Sequence, residues 1–287
     1  MEGNQNHLPS LDDVKAQWTK IVKQYQHPDH RSIVQIINTL IPFFLFWGLM
    51  IAALQVGLWL TLLLAIPTGL LAVRIFIIFH DCGHGSFFKS KKANSIVGFW
   101  MGVLTLTPAH HWWHSHAVHH ASSGDLDRRG EGDVWTLTVD EYLALPKLKQ
   151  LTYRIYRNPI VMFFISPIVL FFILHRIPSG GHRERVSVWQ TNIALAIQAA
   201  LMIWLFGWQA YVFTIVPIYV VASVVGVWMF YVQHQFEDTY WARNENWDYV
   251  AAALHGSSFY KLPKWLEWFT GNIGYHHIHH LSPRIPN

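Results

Sequence analysis

Between positions 32 and 73 no side chain carries a charge, and most are apolar. A stretch of that length holds two helices of about 20 residues, the number needed to cross the hydrocarbon layer of a membrane. The pattern predicts the first at 33–54 and the second at 57–79, joined by an uncharged turn at 55–57. Pro42 and Pro67 kink such helices without forbidding them, because neighbouring helices can satisfy the backbone groups a proline frees. Three further apolar runs follow at 159–174, 187–206 and 208–232, whereas the run at 97–108 is too short to span and reads as buried or interfacial.

Residues 1–31 are polar and lack the apolar run and cleavage site of a secretory leader. Ser10 with Asp13 forms a capping-box signal, followed by Leu11, Val14, Trp18, Ile21, Val22 and Tyr25 at helical spacing. A helix lying on a membrane surface and one packed on a soluble core explain that segment equally well. No internal repeat or low-complexity linker divides the chain, so residues 1–287 are expected to form one domain, with 1–31 as a cytoplasmic or interfacial segment.

Composition sharpens the membrane reading. Charged residues make up 13% of the chain, against about 25% in soluble domains. The 15 tryptophans suit bilayer interfaces, although an aromatic core would also use them. A single cysteine, Cys82, excludes an intrachain disulfide framework. A net charge of +4 is modest, and nothing in its distribution points to a nucleic-acid partner.

The 19 histidines are the anomaly, because they are bunched: His80 and His84; His110, His111, His114, His116, His119 and His120; His276, His277, His279 and His280. If every long apolar run crossed the membrane, the odd count of five would put the first and last bunches on opposite sides. Arg176, His182, Arg183 and Arg185 resolve the conflict: the positive-inside rule puts them in the cytoplasm with Lys15, Lys20, Lys23 and Arg31. The run at 159–174, interrupted by Ser166 and Pro167, then dips in and returns, and the last two runs form a hairpin turning at Gly207. The predicted fold is therefore an all-α integral membrane protein. It has four transmembrane helices, one non-spanning apolar hairpin, and a cytoplasmic histidine-rich cap with both termini on that side.

His80 and His84 stand one helical turn apart and face the same way; His116 with His119 and His120, and His276 with His279 and His280, repeat the pattern. Neutral imidazole ligates iron, zinc, copper or nickel, so spacing alone announces a metal without choosing it. Eight such histidines exceed the needs of one ion, which favours two metals, and Cys82 has no partner for a closed structural zinc shell. Isolated histidines such as His7, His27, His30, His175 and His182 are read as ordinary hydrogen-bonding surface residues, and His255 and His277 as hydrogen-bonding rather than ligating.

His80-Asp81-Cys82-Gly83-His84, His116-x-x-His119-His120 and His276-x-x-His279-His280 resemble the three histidine boxes of the membrane fatty acid desaturase superfamily. The stretch from Ser122 through Asp125-Leu126-Asp127-Arg128-Arg129-Gly130, Gly132-Asp133 and Trp135-Thr136-Leu137-Thr138 resembles a bacterial acyl-lipid group within it. The resemblance implies a fatty acid desaturase: two iron ions on the cytoplasmic side, four spans, O2 as co-substrate, and a membrane-lipid acyl chain as substrate in a bacterial inner membrane. It also implies a further histidine after the last hairpin, and His234 occupies that place. The implied metal and catalytic set is then His80, His84, His116, His119, His120, His234, His276, His279 and His280. Animal relatives carry a water-bridging Asn one turn before that extra histidine, where this chain has Phe230. Family members also continue beyond the third box, whereas this sequence stops at Pro286-Asn287, so a truncated C-terminus is expected.

Removing hydrogen from an unactivated methylene needs an oxidant beyond any side chain, so the hard step belongs to the metal centre. Asp81, Glu237 and Asp238 could orient ligating rings or could equally be helix-end charges. An apolar tunnel is expected between cap and helix ends, with Trp112 and Trp113 as candidate walls and 262–269 as an interfacial helix roofing the site. No flavin, haem or second cysteine motif is present in the sequence, so electrons come from outside. The family implies a ferredoxin or b-type cytochrome. Arg128, Arg129, Lys147, Lys149, Arg154 and Arg157 would form either its docking surface or a contact with anionic lipid. The competing readings are a membrane hydroxylase with similar boxes, acting on alkane, carotenoid or fatty acyl substrates, and a non-enzymatic metal-binding membrane protein such as a transporter.

Overall fold

The computed structural model of the protein describes residues 20–22, 24–25 and 29–287. The helix signal beginning at Ser10 lies largely outside them. Helices α1 (Asp29–Ala53) and α2 (Leu58–Gly83) contain 25 and 26 residues. At about 1.5 Å per residue each is longer than the ~30 Å hydrocarbon layer. Both hold their proline inside a continuous helix. Helix α2 carries its last turn past the predicted end at 79, which places His80 on the helix and His84 at its C-cap.

Short helices α3 (Lys91–Leu104) and α4 (Ala109–Ser122) follow. The Ser90 hydroxyl caps α3 by accepting from the Ala93 N–H at 3.2 Å, and the apolar run at 97–108 is shared between α3 and the turn into α4. Next come α5 (Val139–Ala144), closed by a full capping box between Thr138 and Glu141, and α6 (Lys147–Tyr156).

The apolar run at 159–174 differs from expectation. A π-helical turn, Val161–Ile165, passes directly into α7 (Ser166–Phe172) and a 3-10 turn at Leu174–Arg176. Ser166 and Pro167 do not reverse the chain; the 64° bend lies earlier, between Tyr156 and Val161. Pro167 sits in the first turn of α7, where a missing N–H costs little, and the preceding π turn absorbs the change of register. Residues 161–176 therefore run on as one helical segment, bent from α6, and do not turn back at Ser166 and Pro167 as expected.

Helix α8 (His182–His234) runs for 53 residues, interrupted at Gly207 by φ 84° and ψ 160°. That conformation breaks the helix and is open chiefly to glycine. The two predicted runs at 187–206 and 208–232 are thus the two arms of α8, meeting where expected. Among the described residues, three helices are long and apolar enough to cross a membrane: α1, α2 and α8.

The arms are held by packing and a few buried polar contacts. Phe43, Trp47 and Met50 of α1, Ile75, Ile78 and Phe79 of α2, and Ile215 and Ile218 of α8 share one buried cluster. Trp47 Nε1 donates to Thr214 Oγ1 at 2.9 Å, joining α1 to the second arm. At Gly69 an added methyl would lie 2.6 Å from Val221 Cβ, so the absent side chain lets α2 and α8 approach. The outward faces stay apolar, with Ile41, Leu63, Ile197 and Trp204 exposed. A surface of that kind suits lipid rather than water.

The C-terminal region adds α9 (Tyr249–His255), α10 (Lys264–Phe269) and α11 (His276–Leu281). Helix α10 covers the end of the bundle where Arg74 of α2 is buried. The Arg74 guanidinium donates to the Trp268 carbonyl and to Thr39 Oγ1 and lies 4.2 Å from the Trp268 ring, tying α10 to α1 and α2. Two isolated bridges, between Asp125 and Ala242 and between Phe259 and Tyr275, pin the remaining loops.

Candidate metal centre

Four segments converge at one end of the bundle: the C-terminal turn of α2, helix α4, the last residue of α8, and α11. Helical geometry sorts their histidines. On α4, His116 and His120 share a face, with ring centroids 4.6 Å apart, while His119 is turned about 100° from His120. On α11, His276 and His280 share a face and His279 is turned away. Each helix therefore serves two neighbouring groups. His80, His84, His116, His120 and His279 form the first, and His119, His234, His276 and His280 the second. Within each group one nitrogen of every ring lies within 4.8 Å of the others. All nine histidines singled out by sequence are brought together.

The nitrogens approach closely. In the first group His279 Nε2 lies 3.1 Å from His80 Nε2 and 2.9 Å from His120 Nε2, which is 3.2 Å from His116 Nε2. In the second, His234 Nε2 is 3.1 Å from His119 Nε2 and 2.8 Å from His276 Nε2. Donors at right angles around one ion with bonds of about 2.1 Å stand about 3.0 Å apart, so these spacings fit ligation. Nε2 of His84 and of His280 is buried with no hydrogen-bond partner among the described residues. Unpaired nitrogens of that kind are costly unless something else binds them. Donor set, spacing and orphaned nitrogens together fit metal ions, one per group.

The electrostatics point the same way. Burial, reinforced by the neighbouring imidazoles, holds His116, His120, His276, His279 and His280 well below the usual histidine pKa. These rings are neutral at pH 7, which is the ligating form.

The second ring nitrogens show which carboxylates serve the site. His80 Nδ1 donates to Asp81 at 2.9 Å, and His119 Nδ1 to Asp133 at 2.6 Å. His234 Nδ1 faces the Gly256 carbonyl at 3.3 Å. Of the three carboxylates considered from sequence only Asp81 has this role, since Glu237 and Asp238 are exposed and bond to no histidine among the described residues. Asp133 was missed. It lies in a loop with no periodic signature, and the only cue was its place in the Gly132-Asp133 motif. Phe230 packs its ring 5.2 Å from His119 and 5.0 Å from His234.

Other histidines stand apart. His110, His111, His114, His255 and His277 join neither group, and His30 and His182 are exposed; His7 and His27 lie outside the described residues. His175 departs from its assignment to the surface: it is buried against Phe171.

A cavity of about 780 Å³ opens against both groups, touching His80 and His116 of the first and His276 of the second. That volume is within the range of about 300–1,000 Å³ typical of ligand sites. Its walls are chiefly apolar, including Phe76, Trp112, Met162, Phe171 and Phe230. Trp112 is a wall residue as expected, stacked on His116 at 4.3 Å. Trp113 instead packs on Phe79, donating to its carbonyl at 3.2 Å.

The family model described as Fatty acid desaturase matches residues 56–287. The chain belongs to the fatty acid desaturase family. It is 52% identical over 276 residues to a fatty acid desaturase of Bacillus subtilis (strain 168), covering 95% of this chain and 78% of that protein. Similarity extends to an omega-3 fatty acid desaturase of the endoplasmic reticulum from Vigna radiata var. radiata, at 28% identity over 74% of this chain and 58% of the relative. It also extends to an sn-1 acyl-lipid omega-3 desaturase (ferredoxin) of Synechocystis sp. (strain ATCC 27184 / PCC 6803 / Kazusa), at 28% identity over 76% of this chain and 62% of the relative. The chain thus spans less than two thirds of the plant and cyanobacterial relatives.

Proposed function

We propose that the protein is a membrane desaturase that introduces a double bond into a lipid acyl chain, using two iron ions held by His80, His84, His116, His120 and His279 and by His119, His234, His276 and His280. The observation that carries this reading is the gathering of nine imidazoles into two adjoining groups against an apolar cavity. Two irons bound there supply activation of O2 to an oxidant able to take hydrogen from an unactivated methylene.

The chain's own residues bind, orient and exclude water. The carboxylates of Asp81 and Asp133 accept from Nδ1–H of His80 and His119, which fixes the tautomer and turns each Nε2 lone pair inward. The apolar walls hold the acyl chain beside His80, His116 and His276 and keep bulk water out. In our reading α1, α2 and the two arms of α8 make four crossings of a bacterial inner membrane. The histidine end and both termini then face the cytoplasm, as the basic residues after the bent helix indicate. Electrons come from an external donor, and the ferredoxin named for the Synechocystis relative makes a ferredoxin the first candidate, ahead of a b-type cytochrome. Lys147, Lys149 and Arg154 are exposed along α6 and suit an acidic partner. Arg128, Arg129 and Arg157 serve the fold instead, bonding Asp125, Glu141 and Gln235.

Lipid profiling of a host expressing the chain tests the reaction. We expect acyl species lighter by two hydrogens, dependent on oxygen. A hydroxylated product with no such loss would refute desaturation in favour of hydroxylation, and no new lipid with stoichiometric zinc in the protein would favour a metal-binding role.

A further inference from the structure

Asp81 is buried to 1% exposure, and its only ionic neighbour among the described residues is the His80 ring. A buried carboxylate without a full cation is costly unless hydrogen bonds satisfy it. Most of those bonds come from a distant part of the chain. Asp81 Oδ1 accepts from His80 Nδ1 at 2.9 Å and from the Asn287 amide Nδ2 at 2.8 Å. Asp81 Oδ2 accepts from the Asn287 backbone N–H at 2.8 Å. The segment after α11 thus folds back across the site, turning through the Ile285 N–H to Ser282 carbonyl bond, and grips the residue beside His80 with two donors.

The two groups differ in this respect. Asp133, which serves His119 in the second group, is steadied locally by the Gly130 N–H at 3.3 Å. Asp81, which serves the first group, depends on a residue 206 positions away. We infer that Asn287 is a positioning residue for the first metal site. By fixing both oxygens of Asp81 it sets the ring plane and tautomer of His80, whose Nε2 lies 3.1 Å from His279 Nε2. The same contact ties the segment that follows the third histidine box to Asp81 of the first, so the geometry of the five-histidine group depends on this segment being docked. The inference rests on the two-metal reading above.

Metal titration of the purified full chain in detergent tests it, with Co²⁺ as the probe after the native metal is stripped. The unaltered protein should take up two equivalents, and His84→Ala and His234→Ala identify which binding step belongs to which group. Asn287→Ala should weaken the first-group step by about 10–100-fold, the usual cost of losing a partner behind a ligand, and leave the other step unchanged. Asn287→Asp keeps the shape but sets an acceptor against Asp81, and should weaken the same step at least as much. Wild-type affinity for both steps in both variants would overturn the inference, as would equal weakening of the two steps. Aggregation of both variants on gel filtration would also overturn it, because a residue needed for folding at large is not a selective positioner. If the unaltered chain fails to take up two ions, the two-metal reading falls instead.

Discussion

Replacing His279 by alanine should abolish the new unsaturated lipid, with product falling by more than about 10²-fold, beyond the usual loss for an outer partner of a metal ligand. His279 is the hub of the five-histidine group: its Nε2 approaches both His80 and His120, one from α2 and one from α4. Its removal takes away the one first-group ring supplied by α11 and leaves four. Bound metal should drop from two equivalents toward one, because the second group keeps all four of its imidazoles. The chain should still insert and fold, since the apolar cluster formed by α1, α2 and α8 does not include this residue. Metal analysis beside lipid profiling checks both halves. Undiminished product would remove His279 from the machinery.

A bulky side chain at Gly226 should silence the enzyme by a different route. Gly226 lies on the second arm of α8 and lines the cavity, and a Cβ added there meets no atom within 4 Å. Gly226→Trp therefore enters open space rather than packed protein. His234, the member of the second histidine group on this helix, is two turns further on. Conversion of long acyl chains should fall by about 10²-fold, as expected when a substrate is displaced by about an ångström from the reacting groups, while both metal equivalents remain bound. An unchanged product profile would show that the acyl chain lies elsewhere.

Much of this was legible in the sequence, for reasons that differ by element. The apolar helices announced themselves because lipid leaves no room for charge between positions 32 and 73, and Gly207 was readable as the break between two apolar runs. The histidine boxes were readable because a helix converts spacing into a shared face. What spacing could not reveal is the division into two groups, which depends on the 100° turn of His119 and His279 from their neighbours once four separate segments are docked. Ser166 and Pro167 misled, because a proline within an apolar run reads as a break when the π turn that accommodates it has no sequence signature. Asp133 and Asn287 act from a loop and a tail, where no periodicity points at a partner. Arg74 is a further case: a charge just past the uncharged stretch, buried because α10 and α1 supply its acceptors.

Iron analysis with Mössbauer spectroscopy on the protein purified from an iron-57-grown host tests the central claim most directly. The account predicts two irons per chain in nitrogen-rich surroundings, with one site selectively lost in His84→Ala and the other in His234→Ala. A single iron disturbed alike by both substitutions, or zinc in place of iron, would contradict it.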